Sequence, residues 1–336
     1  MSIRKEISYN PFEYNKRETI NVKNIGGYNF PVVISDLSNK KNINITDIRN
    51  SGYIYNNKTY KWKISQSAAD YIYIGISKIK TEFIDNLNLI CDNTEWQKLY
   101  FSKSNIYPLF SIKEYLFAKV KSDTLNFVKI NLQEINCIKD IKKGSKVVLV
   151  LDIGNNDKIN EQRDFFNILL INKINAPVVL YKKYNEHEIE KFQLFSSGDI
   201  GSLLIDGLGN GVWLYNHEII SSKEIKCTSF GILQACGLRI SKTEYISCPS
   251  CGRTLFDIQK TVEQIRKRTK QFVGIKIAIM GCIVNGLGEM ADADYGYVGG
   301  IKGKVNLYMN KKLVKQNIPE EKAVDELLKL IKNTRN

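Results

Sequence analysis

Three of the seven cysteines stand in two short motifs of the last third of the chain. Cys248 and Cys251 form a C-x-x-C motif, and Cys282 follows a probable strand further along. A tight turn brings both sulfur atoms of such a motif to the same side, and we expect Pro249 to fix that turn and Gly252 to relieve crowding in it. Thiolate ligands favour zinc or an iron–sulfur centre. The two motifs therefore predict a metal centre.

A strand, helix, strand pattern surrounds these cysteines. Residues 244–247 and 274–280 predict strands, and apolar residues at helical spacing predict a helix within 254–270. A right-handed crossover makes the two strands parallel, so the loops that carry the cysteines meet at one edge of the sheet. Open α/β sheets bind their ligands at that edge. We therefore expect the three thiols to face one another.

Three thiolates leave a fourth coordination position to fill. Cys227 and Cys236 fall on or near an apolar helix, where a free cysteine usually behaves as a small hydrophobic residue. Glu289 lies in a glycine-rich segment, which Gly286 and Gly288 would allow to fold back as a loop toward the thiols. A carboxylate in the fourth position would be a hard, exchangeable ligand. This donor set favours a reactive centre over a closed structural one.

Residues 242–257 and 277–300 closely resemble the C-terminal domain of the 4-hydroxy-3-methylbut-2-enyl diphosphate synthase family, known as IspG or GcpE, and in particular its long, plastid-type form. The likeness covers residues 230–331 and departs at Leu287, where the family usually has proline. The resemblance implies an oxidoreductase of isoprenoid precursor synthesis, in the MEP pathway. It also implies a [4Fe–4S] cluster held by Cys248, Cys251, Cys282 and Glu289.

The resemblance further implies the reaction, which is the two-electron reductive opening of 2-C-methyl-D-erythritol 2,4-cyclodiphosphate to 4-hydroxy-3-methylbut-2-enyl diphosphate. The expected partners are this anionic cyclic diphosphate and a ferredoxin-type electron donor. Glu289 and Asn285 are the expected catalytic residues: Glu289 would be the exchangeable cluster ligand, and Asn285 would hydrogen-bond the substrate or the cluster. A turn residue that tolerates positive φ is an equally good interpretation of Asn285.

One part of the family pattern has no counterpart in this sequence. In the family, basic residues of an N-terminal catalytic barrel grip the phosphates, and nothing here resembles that barrel. We therefore expect the chain alone to be incomplete or inactive and to need that barrel domain as a partner. The resemblance also implies a plastid-type organelle, although no targeting segment is apparent in this chain.

Strands alternate with helices ahead of the cysteine motifs. Strands are predicted at 30–35, 71–76, 126–130, 146–153, 177–181, 202–205 and 212–215, and helices at 160–174 and 186–195. This alternation predicts a parallel α/β sheet or barrel. Residues 29–36 and 201–212 also resemble the barrel-like insert of the family's long form.

Two domains are therefore expected in an α/β chain. The first is a barrel-like insert domain of degenerate TIM type over residues 1–217, which opens with an extended segment to about residue 28. The second is a small α/β sandwich, the iron–sulfur domain, over residues 218–336. A polar linker over 216–226 would join them, and Thr228 or Ser229 would cap the next helix.

The formal net charge is +14, from 49 basic and 35 acidic side chains. Positive charge attracts nucleic acid, diphosphates or an acidic redox protein, but scattered lysines that keep the surface solvated are the simpler interpretation. No nucleic-acid motif is present, and no apolar run reaches the roughly 18 residues that span a membrane, so we expect a soluble protein. A structural zinc module and, less favoured, a basic nucleic-acid binder are the alternatives to the enzyme.

Other residue types indicate weaker sites. Asp152 and Asp206 lie near predicted strand ends, where barrels place functional groups, although capping of the next helix explains them equally well. His187 and His217 have no second histidine or cysteine at a ligand spacing, so we expect both on the surface.

Overall fold

A computed structural model describes residues 14–335 apart from 57, 60, 81–85, 101–102, 142–143, 156 and 218–219. The first thirteen residues of the predicted extended segment thus lie outside the described residues. The chain divides into two compact units, Met1–Arg239 and Ile240–Asn336. The first contains a closed barrel and the second a separate sheet, so the predicted α/β class with a barrel followed by a small sheet unit is confirmed.

Described strands of the first unit close into a parallel barrel in the order β1, β12, β11, β10, β9, β8, β7, β5. They are β1 Val32–Asp36, β5 Tyr71–Gly75, β7 Leu89–Asp92, β8 Ile106–Ser111, β9 Asn126–Ile130, β10 Val147–Ile153, β11 Val178–Tyr184 and β12 Gly211–Asn216. Each neighbouring pair runs parallel. Because the ring is closed, every barrel strand has a partner on both sides.

Helices and two small sheets lie between the barrel strands, and one more helix follows the last strand. The helices are α1 Ile45–Asn50, α2 Asn93–Glu95 with a π-helical turn Trp96–Tyr100, α3 Ile112–Phe117, a 3₁₀ helix Leu132–Asp140, α4 Ile159–Ile171, α5 Ile189–Ile205 and α6 Ser222–Ala235. Two small sheets pair β2 Asn42–Ile43 with β6 Lys78–Ile79, and β3 Tyr53–Asn56 with β4 Lys61–Ile64. The inside of the barrel is filled by large side chains, among which Tyr71 packs edge-on against Tyr107 and Phe127 at 5.9 and 5.4 Å between ring centroids.

The strand predicted at residues 202–205 is wrong, because these residues form the last turn of α5. Leu203 and Leu204 are buried, whereas Ile205 is 61% exposed. A short apolar run has the same appearance in a strand and in a buried helical turn, and here the helix began well upstream. The strand predicted at 212–215 is confirmed as β12.

The linker predicted over 216–226 is also wrong, because α6 begins within it. Ser221 caps this helix: its hydroxyl accepts from the N–H of Glu224 at 3.3 Å, while the Glu224 carboxylate accepts from the Ser221 N–H at 3.0 Å. This reciprocal capping box satisfies two backbone donors. The caps predicted at Thr228 and Ser229 instead lie inside the helix, where their hydroxyls donate to carbonyls one turn back.

The division between the units falls after Arg239, later than the boundary predicted after residue 217. The reason is that α6 packs on the barrel, where Phe230 and Leu233 join the core formed with α4 and α5. Arg239, the last residue of the first unit, binds the end of that unit to the barrel. Its guanidinium donates to both carboxylate oxygens of Asp70, at 2.6 and 3.1 Å, and to the Pro31 carbonyl at 3.0 Å.

Replacing Arg239 with methionine is expected to destabilise the barrel unit by roughly 3 kcal/mol, because it leaves the largely buried Asp70 carboxylate without its cation. Lys98→Met is the matched control, since Lys98 forms an exposed ion pair with Glu95 in the same unit. That pair is expected to contribute less than about 1 kcal/mol. Urea unfolding of the two variants measures both values, and equal midpoints would contradict a closing role for Arg239.

The second unit is built on a sheet in the order β13, β14, β15, β16, β17. Its strands are β13 Glu244–Ser247, β14 Lys276–Met280, β15 Tyr295–Ile301, β16 Lys304–Met309 and β17 Lys312–Pro319, and its helices are α7 Ile258–Thr269, α8 Ile283–Glu289 and α9 Glu320–Arg335. The first three strands run parallel and the last three antiparallel. The predicted strand, helix, strand unit around the cysteines is confirmed.

Alternation along β14 gives this sheet two buried faces. Ile277 and Ile279 point to the face covered by α7 and α9, whereas Ala278 and Met280 point to the other face, where Met290 covers them. Burial on both faces explains why the strand reads as a continuous apolar run. The carboxyl end of β14 is thereby fixed in place.

Candidate metal centre

Strands β13 and β14 lie side by side and parallel, with Ser247 opposite Ile279. Cys248 therefore begins one loop at the same sheet edge where Gly281 and Cys282 begin the next. The Cys248 N–H donates to the Ile279 carbonyl at 3.3 Å, and the Gly281 N–H donates to the Cys248 sulfur at 3.3 Å. The two cysteine loops thus start at one sheet edge, as predicted, and the expected facing of the three thiols stays a prediction.

The C-x-x-C turn is held by a side chain that the sequence did not single out. The Thr254 hydroxyl accepts from the Cys251 N–H at 2.9 Å, and the Thr254 N–H donates to the Cys251 carbonyl at 2.9 Å. The left-handed residue of this turn is Ser250, with φ at 73°. Gly252 has no positive φ, and a Cβ on it would contact nothing within 4 Å, so the role predicted for Gly252 is wrong.

The thiol of Cys251 is exposed and has a lowered pKa. The main cause is a hydrogen bond from the Arg253 backbone N–H, with a second from the Arg253 side chain and a further one from Thr254. Each of these donors stabilises the thiolate over the thiol. Because the thiolate is the form that binds metals, this turn favours the ionisation state that a metal ligand needs.

Glycine is required where the cysteine loops pass the next strand. A Cβ on Gly299 would stand 2.3 Å from the Gly281 carbonyl oxygen, and a Cβ on Gly281 would stand 2.9 Å from both Thr254 and Ile258. The Leu255 N–H donates to the same Gly281 carbonyl at 3.1 Å. These contacts lock the loop before Cys282 against both β15 and the C-x-x-C turn.

Cys282 is half-buried at the N-cap of α8, and Glu289 is exposed in the last turn of the same helix. A helix of this length places the two residues about 10 Å apart along its axis. The segment predicted as a glycine-rich loop is thus helical. Asn285 lies in the middle of α8, and its side chain lies outside the described part of the structure.

Leu287 is compatible with the helical conformation of α8. A proline at this position would have no N–H to donate inside the helix, and its ring would clash with the Ile283 carbonyl. Gly286 allows α8 to lie close to the sheet. A Cβ at this position would stand 3.2 Å from Met280 and from Val298.

The donors present fit a metal centre in part. The cysteine residues at this edge are free, two loops converge there, and the pKa of the Cys251 thiol is lowered. Thiolates suit zinc or iron–sulfur ligation. In the residues described, no three His, Cys, Asp or Glu side chains are grouped closely enough to hold a metal. Glu289 in particular would reach the thiols only if α8 opened.

A groove of about 710 Å³ adjoins the cysteine edge, between the C-x-x-C turn and α7. Cys248 and Pro249 line one side, and Asp257, Glu263 and Arg266 line the other. The Arg266 guanidinium lies 5.2 Å from the centre of the Tyr245 ring, at the base of β13. The groove leaves the Cys248 side of the site accessible from outside.

The remaining predicted candidates lie elsewhere. Cys227 is exposed on α6, Cys236 is half-buried at its C-terminal end, and both belong to the first unit. His187 and His217 are exposed, as expected. Asp152 lies in β10 and pairs with Lys129 at 2.9 Å, so it caps no helix. None of the helices described combines the length and apolar character that a bilayer crossing requires.

Fold and site together define a two-unit α/β chain in which a parallel barrel precedes a unit that gathers cysteines at one sheet edge. Residues 244–333 match the GcpE protein C-terminal domain. The chain is 37% identical over 326 residues to the 4-hydroxy-3-methylbut-2-en-1-yl diphosphate synthase (flavodoxin) of Phocaeicola vulgatus, covering 96% of this chain and 49% of that protein. Residues 244–333 are thus similar to the GcpE C-terminal domain, and most of the chain is similar to about half of this relative.

Other relatives carry the same enzyme name. The enzyme of the same name from Parabacteroides distasonis is 41% identical over 313 residues, covering 93% of this chain and 47% of the relative. The 4-hydroxy-3-methylbut-2-en-1-yl diphosphate synthase (ferredoxin), chloroplastic, of Oryza sativa is 46% identical over 177 residues, covering 52% of this chain and 24% of the relative. The chain spans about half the length of the first curated relatives it matches.

Proposed function

We propose that this chain is the cluster-binding part of a 4-hydroxy-3-methylbut-2-en-1-yl diphosphate synthase. One observation carries the proposal: parallel strands β13 and β14 bring Cys248 and Cys282 to the same sheet edge, within the region that matches the GcpE C-terminal domain. The Cys251 turn joins the same edge. The proposed reaction is the reductive opening of a cyclic diphosphate, which takes up two electrons and two protons and releases water.

In this proposal the thiolates of Cys248, Cys251 and Cys282 would hold three corners of a [4Fe–4S] cluster, and Glu289 would hold the fourth. When bound, the cluster would supply the electrons that the reaction consumes. The three thiolates would keep the cluster in place, and the Glu289 carboxylate would be its exchangeable ligand. Asn285, on the segment between Cys282 and Glu289, stays a proposed hydrogen-bond donor to substrate.

The proposed partners follow from the relatives' names and lengths. Those names contain flavodoxin in the bacterial relatives and ferredoxin in the chloroplastic one, so a small redox protein of either kind is the proposed electron donor. The half of the relatives that this chain does not span is the proposed source of the phosphate-binding barrel. Location in a plastid-type organelle is supported by the Oryza sativa relative.

Metal analysis tests the proposal. Iron, sulfide and zinc would be measured on anaerobically reconstituted chain, together with electron paramagnetic resonance of the wild type and Glu289→Ala. About four irons per chain, with a cluster signal that changes in the variant, is the expected result. Stoichiometric zinc without iron would make the cysteines a structural clip and would overturn the proposal.

Leu287→Pro is expected to slow the loss of iron to a chelator several-fold, because proline disrupts α8 and frees Glu289 to approach the thiols. Leu287→Ala is the control, since alanine removes the same side chain but preserves the helix. Chelator-induced bleaching of the cluster absorbance measures the rate. If both variants release iron at the same rate, opening of α8 is not needed for ligation by Glu289.

The chain alone is expected to turn over its substrate at least about a hundredfold more slowly than a full-length relative, because orientation by the missing half is absent. Turnover would be assayed with a chemical reductant after reconstitution, so that no electron donor limits the rate. Cluster content, measured on the same samples, is the control for loading. Full activity without an added barrel would show that this chain binds the diphosphate by itself.

A further inference from the structure

The inside of the barrel changes character at the carboxyl ends of its strands. Below this level the strands point apolar side chains such as Ile34, Ile90 and Val150 into the barrel. At this level polar side chains from successive strands line two adjoining cavities of about 510 and 200 Å³, which share Tyr73 and Lys129. We name these two cavities together the mouth cavity. Parallel barrels bind ligands at this end.

Two polar side chains of the mouth cavity, Lys129 and Asp152, form an ion pair that lies beside an aromatic ring. The Lys129 ammonium lies 2.9 Å from an Asp152 carboxylate oxygen and 4.1 Å from the centre of the Tyr181 ring. Both contacts restrain a side chain that would otherwise be flexible. The strand position of Lys129 in β9 and of Asp152 in neighbouring β10 makes this pair part of the barrel itself.

Other carboxylates are oriented in the same way. Asp36 accepts from the Ser38 N–H at 3.0 Å and from the Trp213 indole N–H at 2.9 Å. Asp92 accepts from the Tyr73 hydroxyl at 2.6 Å. The two oxygens of each carboxylate can accept more hydrogen bonds than these. The mouth cavity therefore offers preset acceptors beside aromatic rings.

The charges decide which ligand class fits. Burial raises the pKa of Asp36, which favours the neutral form of that carboxyl group. Without Asp36, the carboxylates of Asp92, Asp152, Glu114 and Glu134 oppose Lys129 and Lys183, so the lining charges sum to two negatives. The two glutamates lie at the rim and are engaged in helix caps. An acidic excess disfavours phosphates and diphosphates. Carboxylate acceptors and ammonium donors next to rings suit hydroxyl groups, and the volume lies within the range of roughly 300–1,000 Å³ typical of small-molecule sites.

We propose that the mouth cavity of the barrel unit binds a neutral, polyhydroxylated small molecule of the unphosphorylated sugar class. The carboxylates of Asp92 and Asp152 accept its hydroxyl protons, and the ammonium groups of Lys129 and Lys183 donate to its hydroxyl oxygens. Tyr181 and Trp213 border the cavity beside it. This site lies wholly within the first unit and does not depend on the function proposed for the cysteines.

The indole N–H of Trp213 reports on this cavity in ¹⁵N-resolved NMR spectra of the full chain. D-ribose, D-glucose and myo-inositol are the probes, with D-ribose 5-phosphate and inorganic pyrophosphate as anionic counterparts. A saturable shift of the Trp213 signal with the neutral probes is expected, and weaker binding of the anions. The Trp96 indole donates to the Ile106 carbonyl away from the cavity and serves as internal control. Trp213→Phe assigns the signal.

Two variants locate the binding. Asp152→Asn and Lys183→Met are each expected to weaken binding of the best neutral probe about tenfold, the effect of losing one good hydrogen bond. Asp164→Asn, the same change on the exposed side of α4, is expected to leave it unchanged. No shift with any neutral probe, tighter binding of pyrophosphate than of ribose, or unaltered affinity in Lys183→Met would each overturn the proposal. Lys183 is exposed, so its variant keeps the fold.

Discussion

Reconstituted Cys282→Ser is expected to hold only background iron, compared with about four irons per chain in the wild type. The reason lies in the sheet edge. Cys282 is the ligand contributed by the β14 loop, and the Gly281 N–H beside it donates to the Cys248 sulfur. Removing this thiol leaves both remaining sulfurs on one loop, so the two loops are no longer bridged. Iron and sulfide analysis with the visible absorption spectrum measures the loss.

Cys227→Ser is the matched control for this change. Cys227 is an exposed free thiol on α6, in the barrel unit, and takes no part in the proposed ligand set. Its variant is expected to bind iron like the wild type. Retention of a normal cluster in Cys282→Ser, or an equal loss in Cys227→Ser, would contradict the assignment of the site.

Gly299→Ala is expected to destabilise the second unit by about 3 kcal/mol, the upper end of the cost of overpacking a core. The added Cβ would meet the Gly281 carbonyl oxygen at 2.3 Å. That oxygen belongs to backbone held between β14 and the C-x-x-C turn, so no side-chain rotation relieves the contact. The Gly281 loop must move, and Cys282 moves with it. We therefore expect both the unfolding midpoint and the iron content to fall.

Gly252→Ala provides the comparison within the same site. A Cβ at Gly252 meets nothing within 4 Å, and its φ is not positive, so alanine is expected to change stability by less than about 0.5 kcal/mol. Denaturant unfolding and reconstitution of both variants would be measured side by side. A Gly299→Ala protein as stable as Gly252→Ala would show that the loop before Cys282 is free to shift.

The strands that position the cysteines could be predicted because their signals are local. Residues 244–247 are rich in strand-forming side chains and residues 274–280 are mostly apolar, and a single helix between them fixes their parallel pairing. The barrel class followed from the same alternation of strands and helices. The closing helix α6 was missed since its cap, Ser221, stands in a polar stretch that resembles a linker.

The conformation of residues 283–289 and the mouth cavity could not be predicted, because both depend on contacts between different elements of the fold. The conformation of residues 283–289 depends on contacts of Gly286 with Met280 and Val298, which come from other elements. The mouth cavity was hidden for a similar reason, because its lining residues come one or two at a time from strands far apart in the chain. Asp152 was noticed as an acidic residue near a strand end, and His217 only as a surface residue. Closure of the barrel brings Asp152 beside Lys129.

The strand at the far edge of the second sheet protects the unit from edge-to-edge association. β17 is exposed along nearly all of its length and carries Lys312 and Lys315, and its pairing with β16 is interrupted by register shifts. Charged, irregular edges are poor templates for another strand, because pairing would bury lysines and meet a bent backbone. We therefore expect the chain not to associate through this edge of the sheet when it is concentrated.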